Sequence, residues 1–447
     1  MATGRRNIKE LKGMGSEPQE AADAILARAA RRLIPLMALM YVASFLDRVN
    51  IGFAALTMNQ DLGFSAPVFG LGAGIFFLGY FLFEVPSNLM LEKVGARLWM
   101  SRIMLSWGVV SMATAFIKTA FAFYVLRFLL GLAEAGLYPG MILYMTYWFP
   151  EATRARFIAL FLAAVPAASV IGGPLSGWLL GFNGALHGWQ WMLLLEGIPS
   201  LILGVAVLWL LPERPANAPW LSANEKKVLA ERLAADRKDD HKLGTLHDFW
   251  EMIADKRIWI FILPDFSIVI GLYGMGLWMP QMIKALGFTN LETGFLVALP
   301  YVASMIAMVA LGISSDRRKE RAWHVAGACF AGALGLLGAV FLHGALPVMI
   351  SFCIAASGIY GALAVFWTFP TQMLRGLAAA GGLALLNSFS NLGGFFGPTL
   401  MGWLKEITGT YTLGMSLLAA MLAFAGIATL WIGRAFFSQQ LDSPKAS

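Results

Sequence analysis

Charge is scarce in this sequence: Asp, Glu, Lys and Arg make up 13% of its 447 residues, about half the share of a soluble globular protein. With 58% hydrophobic residues and a mean hydropathy of +0.69, the chain is excluded from the soluble class and reads as crossing a membrane many times. Cysteine is almost missing. Cys329 and Cys353 both fall inside apolar runs, which leaves neither a disulfide framework nor a metal-ligand spacing. No glycine-rich phosphate loop is present, which excludes an ATP-driven pump. A net charge of +7 is not gathered into a basic folding domain, so nucleic acid is excluded as a partner. The first apolar run leads directly into further runs and is expected to remain as a span rather than be cleaved.

What the sequence has is apolar segments of spanning length. Six fall at about 33–53, 68–90, 99–117, 121–147, 157–180 and 189–211, and six more at about 258–283, 291–313, 322–342, 346–371, 377–404 and 411–434, each long enough for ~30 Å of hydrocarbon. The polar stretches around them divide the chain. Residues 1–32 are a lead-in with a helical signature from Ser16, 33–211 and 258–434 two six-helix bundles, 212–257 a linker, and 435–447 a tail. In the linker, Ser222 and Glu225 form an S-x-x-E capping box at the start of a charged amphipathic helix.

The halves repeat. "NLMLEKVGAR" from Asn88 and "GISSDRRKER" from Gly312 share an acid, a base and a final arginine at an offset of 224 residues, which predicts parallel repeats related by an axis along the membrane normal. Of the 33 lysines and arginines, all but six fall on one side. The exceptions are Lys118, Lys284 and Lys405 opposite, and Arg48, Arg102 and Arg127 within spans, so both termini are expected in the cytoplasm.

Charge inside an apolar run costs at least ~2.5 to 3.5 kcal/mol on insertion scales, which singles out Asp47 and Arg48 in "YVASFLDRVNIGF" and Arg127 and Glu134 in "RFLLGLAEAGLYPG". If span 1 ends near Phe53 and span 4 begins near Phe121, both arginines lie roughly 8 to 9 Å below the outer boundary. Two level guanidiniums facing one cavity repel unless an anion lies between them, and their planar forks suit a carboxylate. The alternative is structural pairing, Arg48 with Asp47 and Arg127 with Glu134. Glu134, about 10 Å deeper than Arg127, is the first-choice proton carrier. Asp47 is either a second titrating group or a counter-ion. Glu84, Glu196 and Asp265 read as packing or gate ion pairs near the cytoplasmic face.

The second half has no arginine in a span interior, so neutral groups should close over the anion there: Tyr273, Trp278, Tyr301, Trp367, Thr368, Asn387 and Asn391, with Tyr41 and Tyr80 from the first half. Aromatics also populate interfacial belts and asparagines also join helices, so both alternatives stand. Glu92 and Arg97 in one copied loop, and Asp316, Arg317 and Arg321 in the other, are expected to act as charge clamps on opening.

"FLDRVNIGFA", "GYFLFEVPSN", "RFLLGLAEAGLYPG", "GWQWMLLLEGIP" and "LLNSFSNLGGFFGP" resemble the anion:cation symporter family of the major facilitator superfamily over nearly the whole chain. The resemblance implies an all-α integral membrane protein of twelve helices, alternating access and proton-coupled uptake of organic anions such as tartrate, galactonate or phthalate. Asp47 and Glu134 match its proton-linked carboxylates, Arg48 and Arg127 its anion-handling arginines. "FWTFPT" and "WHVAG" look most like the tartrate permease branch. One departure is the first copied loop, where Asn88 and Glu92 replace the superfamily's G-x-x-x-D; only Gly312 to Asp316 keeps it. The expectation is a transporter, not an enzyme, importing a small organic carboxylate, most like a hydroxy-dicarboxylate such as tartrate. It would use the proton as coupling ion, no cofactor and no metal, and act as a monomer in a bacterial inner membrane. The alternatives are an aromatic or sugar-acid substrate, or carboxylate exchange.

Overall fold

In hydrocarbon there is no water to satisfy a peptide group, so an apolar run closes its hydrogen bonds within a helix. A computed structural model describes residues 4–150, 153–154, 164–182, 184–236, 256–373 and 377–441, and helices dominate them. In chain order they are α1 (Gly4–Leu62), α2 (Ala66–Val94), α3 (Ala96–Ala113), α4 (Ala120–Glu134), α5 (Leu137–Trp148), α6 (Ala164–Leu179), α7 (Gly188–Leu210) and α8 (Ala223–Asp236). Then follow α9 (Lys256–Lys284), α10 (Asn290–Arg318), α11 (Ala322–Phe341), α12 (Ala345–Phe366), α13 (Thr368–Met373), α14 (Leu377–Asn391), α15 (Gly393–Thr408) and α16 (Thr412–Leu441). Among the described residues, nine helices are long and apolar enough to cross a membrane. The start of the fifth expected span, the second half of the linker and the end of the tail lie outside the described residues.

Three expected spans are broken. Span 4 stops at Glu134 because Gly136 takes φ +88°, a left-handed turn that suits glycine, before α5 resumes. Span 10 divides at Trp367 and span 11 at Leu392. Span 1, by contrast, is longer than its apolar run: α1 begins at Gly4 and continues through the polar "TMNQDL" to Leu62. Polar residues that no longer face lipid still favour a helix already started. The linker helix has its capping box, with the Ser222 amide donating to Glu225 at 2.8 Å and the Glu225 amide to the Ser222 hydroxyl at 3.3 Å. Arg28 on α1 reaches Glu225 at 2.8 Å and Arg32 lies over Trp220, which docks the linker on α1.

In the first half α3 packs on α7, α2 on α4, and α1 on α6 and α7; in the second, α11 packs on α12 and α16, α10 on α12, and α9 on α15 and α16. The halves meet where α6 crosses α10, α2 crosses α15 and α1 crosses α9. The α6–α10 and α2–α15 crossings are tightest on the far side, away from the termini, where α1 ends and α2 begins. A Cβ on Gly173 would stand 2.5 Å from the Gly294 carbonyl, and one on Gly70 2.5 Å from that of Pro398. These backbones touch, and the far side is closed.

Candidate functional site

Helical spacing separates the two adjacent charges of α1. Tyr41, Ser44 and Arg48 recur at i, i+3 and i+7 and share one face, whereas Asp47 lies about 100° away. On the first face the Arg48 guanidinium pairs with the Glu134 carboxylate, and Ser44 Oγ donates to the same Glu134 oxygen at 2.6 Å. Arg48 also donates to the hydroxyl of Tyr273 in the other half at 3.0 Å. Glu134 is wholly buried and its Oε2 has no hydrogen-bond partner among the described residues.

On the second face the donors that Asp47 meets among the described residues are all neutral. Trp107 Nε1 and Ser200 Oγ donate to one oxygen at 2.8 Å each, while Ser111 Oγ at 2.9 Å and Asn50 Nδ2 at 3.3 Å donate to the other. These partners come from α3, α7 and α1 itself, so Asp47 joins helices inside the first half.

Arg127 differs from the expected clamp. Its guanidinium is 1% exposed and donates to the Gly72 and Ala73 carbonyls at 3.3 and 3.4 Å. It lies 5.1 Å from the Phe76 ring, which also holds Arg48 at 5.3 Å. One aromatic face thus lies beside both cations, and in this conformation they do not converge on a shared point. The level-arginine geometry fails because α1 runs on to Leu62. Arg48 is 14 residues from that end and Arg127 only seven from Ala120, or about 21 and 10 Å. Arg48 is level with Glu134 instead, and both structural pairs expected from sequence, Arg48 with Asp47 and Arg127 with Glu134, give way to Arg48 with Glu134.

Around this pair stand several of the expected aromatics. Tyr80 lies 5.2 Å from the Arg48 guanidinium and Tyr41 stacks on Tyr138 at 5.6 Å. Tyr273 and Tyr301 line a cavity of about 10 Å³ with Phe45, Leu277 and Tyr360, about one water in size. Trp278 is elsewhere. It packs edge-on against Phe69 and donates to the Pro398 carbonyl at 3.2 Å, nearer the closed far side, because it lies five residues beyond Tyr273. Trp367 and Thr368 sit at the break between α12 and α13, and Asn391 at the one between α14 and α15. Asn387 is engaged across the interface by Glu84, its Nδ2 donating at 2.8 Å.

The copied loops carry exposed Glu92, Arg97 and Arg317. The acid that caps α3 is Glu213, accepting from the Ala96 and Arg97 amides at 2.5 and 3.1 Å, while Arg321 pairs with Asp316 at 2.6 Å. Among the described residues no ion pair joins one loop to the other. Nor do Glu84, Glu196 and Asp265 form the ion pairs expected of them: Glu84 and Glu196 accept from neutral donors, Glu196 from Ser176 at 2.6 Å, and Asp265 has no cation within salt-bridge distance among the described residues.

Residues 37–398 match the family model described as the Major Facilitator Superfamily. The chain belongs to the Major Facilitator Superfamily. Among its relatives is a protein of Agrobacterium vitis named "Putative tartrate transporter", 48% identical, with 94% of this chain and 92% of that protein covered. Another is the "Putative metabolite transport protein NicT" of Pseudomonas putida, 43% identical over 92% of this chain and 93% of the other. The solved structures that share the fold include a bacterial homologue of the human lysosomal transporter Spinster, inward-facing and unoccupied. It has a TM-score of 0.74 at 16% identity, and the match covers 94% of this chain and 98% of that one. A D-xylose-proton symporter follows at 0.71 and 14%, covering 89% and 96%. This facilitator is a transporter, not an enzyme.

Sequence reasoning missed four members of the facilitator's centre: Ser44, Tyr138, Tyr360 and Phe76. Ser44 carried a usable signal, one helical turn before Arg48 on the same face. Phe76 and Tyr360 carried none, being aromatics among many in apolar runs.

Proposed function

We propose that this facilitator is a symporter that imports a small organic carboxylate together with protons, a hydroxy-dicarboxylate such as tartrate, by alternating access, with both termini in the cytoplasm. The observation that carries the reading is the Arg48–Glu134 pair bonded to Tyr273 of the opposite half. One guanidinium then serves two carboxylates in turn. When Glu134 is ionised it occupies Arg48; a proton on Glu134, whose Oε2 stands unpartnered among the described residues, releases Arg48 to the substrate carboxylate through charge-assisted hydrogen bonds. Proton and anion therefore load together and leave together, and Tyr273 reports the loading to the second half. Arg127 keeps the region positive without meeting the substrate in this conformation. The four neutral donors around Asp47 favour a role in holding α1 against α3 and α7. The name of the Agrobacterium relative supports tartrate, and the one-sided distribution of lysine and arginine supports the orientation. The stacked Tyr41–Tyr138 pair favours an aromatic carboxylate as the second reading.

The test is uptake of labelled tartrate into proteoliposomes under an imposed inward proton gradient. Accumulation should collapse with a protonophore, and Glu134→Gln should keep substrate counterflow while losing gradient-driven accumulation. Accumulation that ignores the protonophore, or that Glu134→Gln leaves unchanged, overturns the coupling.

A further inference from the structure

About one helical turn below the Arg48–Glu134 pair toward the termini lies an acid that the proposed transport cycle leaves unused. Glu84 is 18 residues along α2 from Ala66, about 27 Å from the far end against about 21 Å for Arg48 along α1. It is 3% exposed. Both of its carboxylate oxygens accept from the opposite half: Asn387 Nδ2 donates to Oε1 at 2.8 Å and Ser388 Oγ to Oε2 at 2.5 Å. Among the described residues it has no cation within salt-bridge distance. Ring contacts reinforce the junction, with Phe389 packed at 5.3 Å on Phe81 of α2 and at 5.1 Å on Trp259 of α9.

The two donors are consecutive residues of α14, just before the break at Leu392. Beyond that break α15 stays packed on α2 at the far side, where the backbones touch. With α15 held there as a pivot, the second half can rock against the first and carry its α14 part away from α2, as paired bundles gate around a fixed site. Glu84 is where the swinging part is tied down. Its charged and titratable neighbours are Arg48 on α1, Tyr80 on α2 itself and Tyr138 on α5. From α14 it meets neutral groups, and Asp265 on α9 lies beside Ser390 on the same helix.

We infer that Glu84 is the tie that closes the route between the central site and the termini side, and that this route opens when Asn387 and Ser388 leave its carboxylate. The inference rests on the alternating-access reading above and makes Glu84 a positioning residue, acting on the gate rather than on the substrate. It also gives Asn387 a role distinct from the substrate contact expected of it.

The test reads the gate directly. Spin labels on Leu98→Cys and Arg318→Cys, both exposed on the termini side, in a Cys329→Ser/Cys353→Ser background, report the separation of the halves in the reconstituted full chain. Glu84→Ala should raise the ratio of long to short distances at least tenfold, and Glu84→Gln, which keeps one acceptor oxygen, should fall between it and the parent. Asn387→Asp sets two carboxylates face to face. Its distances should be long at pH 8 and shorten at pH 5, where one proton is shared between the two acids. An unchanged distribution in Glu84→Ala, or no pH response in Asn387→Asp, overturns the tie. If Glu84→Ala does not fold, Ser388→Ala with Asn387→Asp decides from the other side of the contact. The distances need neither substrate nor proton gradient, so failure here is distinguishable from failure of proton-coupled uptake, which Glu134→Gln measures.

Discussion

Arg48 and Glu134 stand at the same depth, each 14 residues from the far end of its own helix, and meet there as a buried ion pair. Asp47, the sequence neighbour of Arg48, faces other helices and among the described residues meets no cation within salt-bridge distance. The acid beside Arg48 in sequence and the acid beside it in space therefore do different work, and the variants below separate them.

Removing one partner of a buried pair leaves an uncompensated charge, a loss of about 3 to 5 kcal/mol. Glu134→Ala should destabilise the protein by that order in unfolding titrations in detergent. Arg48→Ala combined with Glu134→Ala should recover a good part of the loss, and strict additivity of the two single changes would exclude the pair.

Tyr273→Phe keeps the ring against Phe77, 4.3 Å between centroids, and removes only the acceptor for Arg48. A lost hydrogen bond is worth about 1 kcal/mol, so the KM for the carboxylate should rise about fivefold while the maximal rate holds within about twofold. A change confined to the rate would argue against this contact in binding.

Asp47→Asn puts an amide nitrogen among groups that are all donating. One of Trp107, Ser111 or Ser200 then loses its acceptor, and an unsatisfied buried donor costs about 1 to 3 kcal/mol. The expected result is a lower melting temperature, with Asp47→Glu no better because its longer side chain cannot reach the same four donors in register.

Gly173→Leu cannot coexist with the closed far side, since its Cβ alone would sit 2.5 Å from the Gly294 carbonyl. Overpacking a contact of this kind costs about 1 to 3 kcal/mol, and here it is relieved by the halves parting. The variant should insert normally, lose uptake, and expose a cysteine placed at Asn290 to a membrane-impermeant thiol reagent added from the far side. Unaltered labelling would show that the contact is not part of the gate.

The linker helix should respond to acid. The Ser222 amide and hydroxyl, with Arg28 beyond them, hold the exposed Glu225 below its ordinary carboxylate range. A lowered folded value means that the stabilisation is present above the ordinary glutamate range of about 4.3 and is lost as pH falls through the lowered value. Hydrogen-exchange protection across Ala223–Asp236, each rate referred to the intrinsic rate at the same pH, should be high at neutral pH and fall in strong acid, and Arg28→Ala should lower it at neutral pH and converge with the parent in strong acid.

Much of this was legible in the residues. Hydropathy located the spans, the capping box at Ser222 marked α8, and the rarity of buried charge picked out Arg48, Asp47, Arg127 and Glu134. Depth was not legible, because the apolar run of α1 ends near Phe53 while the helix ends at Leu62; hydropathy reports where lipid ends, and hydrogen bonding continues past it. Pairing was misread for the same reason. The break after Glu134 was hidden too, since Gly136 could have been an ordinary helical glycine until its φ was seen. Glu84 looked like an ion-pair acid near a loop, and nothing local to "FEVPSN" could reveal that its partners lie some 300 residues away, at Asn387 and Ser388.

The far side closes backbone to backbone, through Gly70 on Pro398 and Gly173 on Gly294. Glycine has no rotamers to freeze, so this seal forms and parts with little change in side-chain entropy, whereas ordering a long side chain costs up to about 2 kcal/mol. In the proposed alternating-access cycle the balance between the two orientations of the halves is then left to a small number of polar contacts, among them those of Glu84, of Arg48 with Tyr273 and of Thr399 with the Gly70 carbonyl. On that proposal a gate of this build is poised: one proton or one bound anion, each worth a few hydrogen bonds, would be enough to tip it.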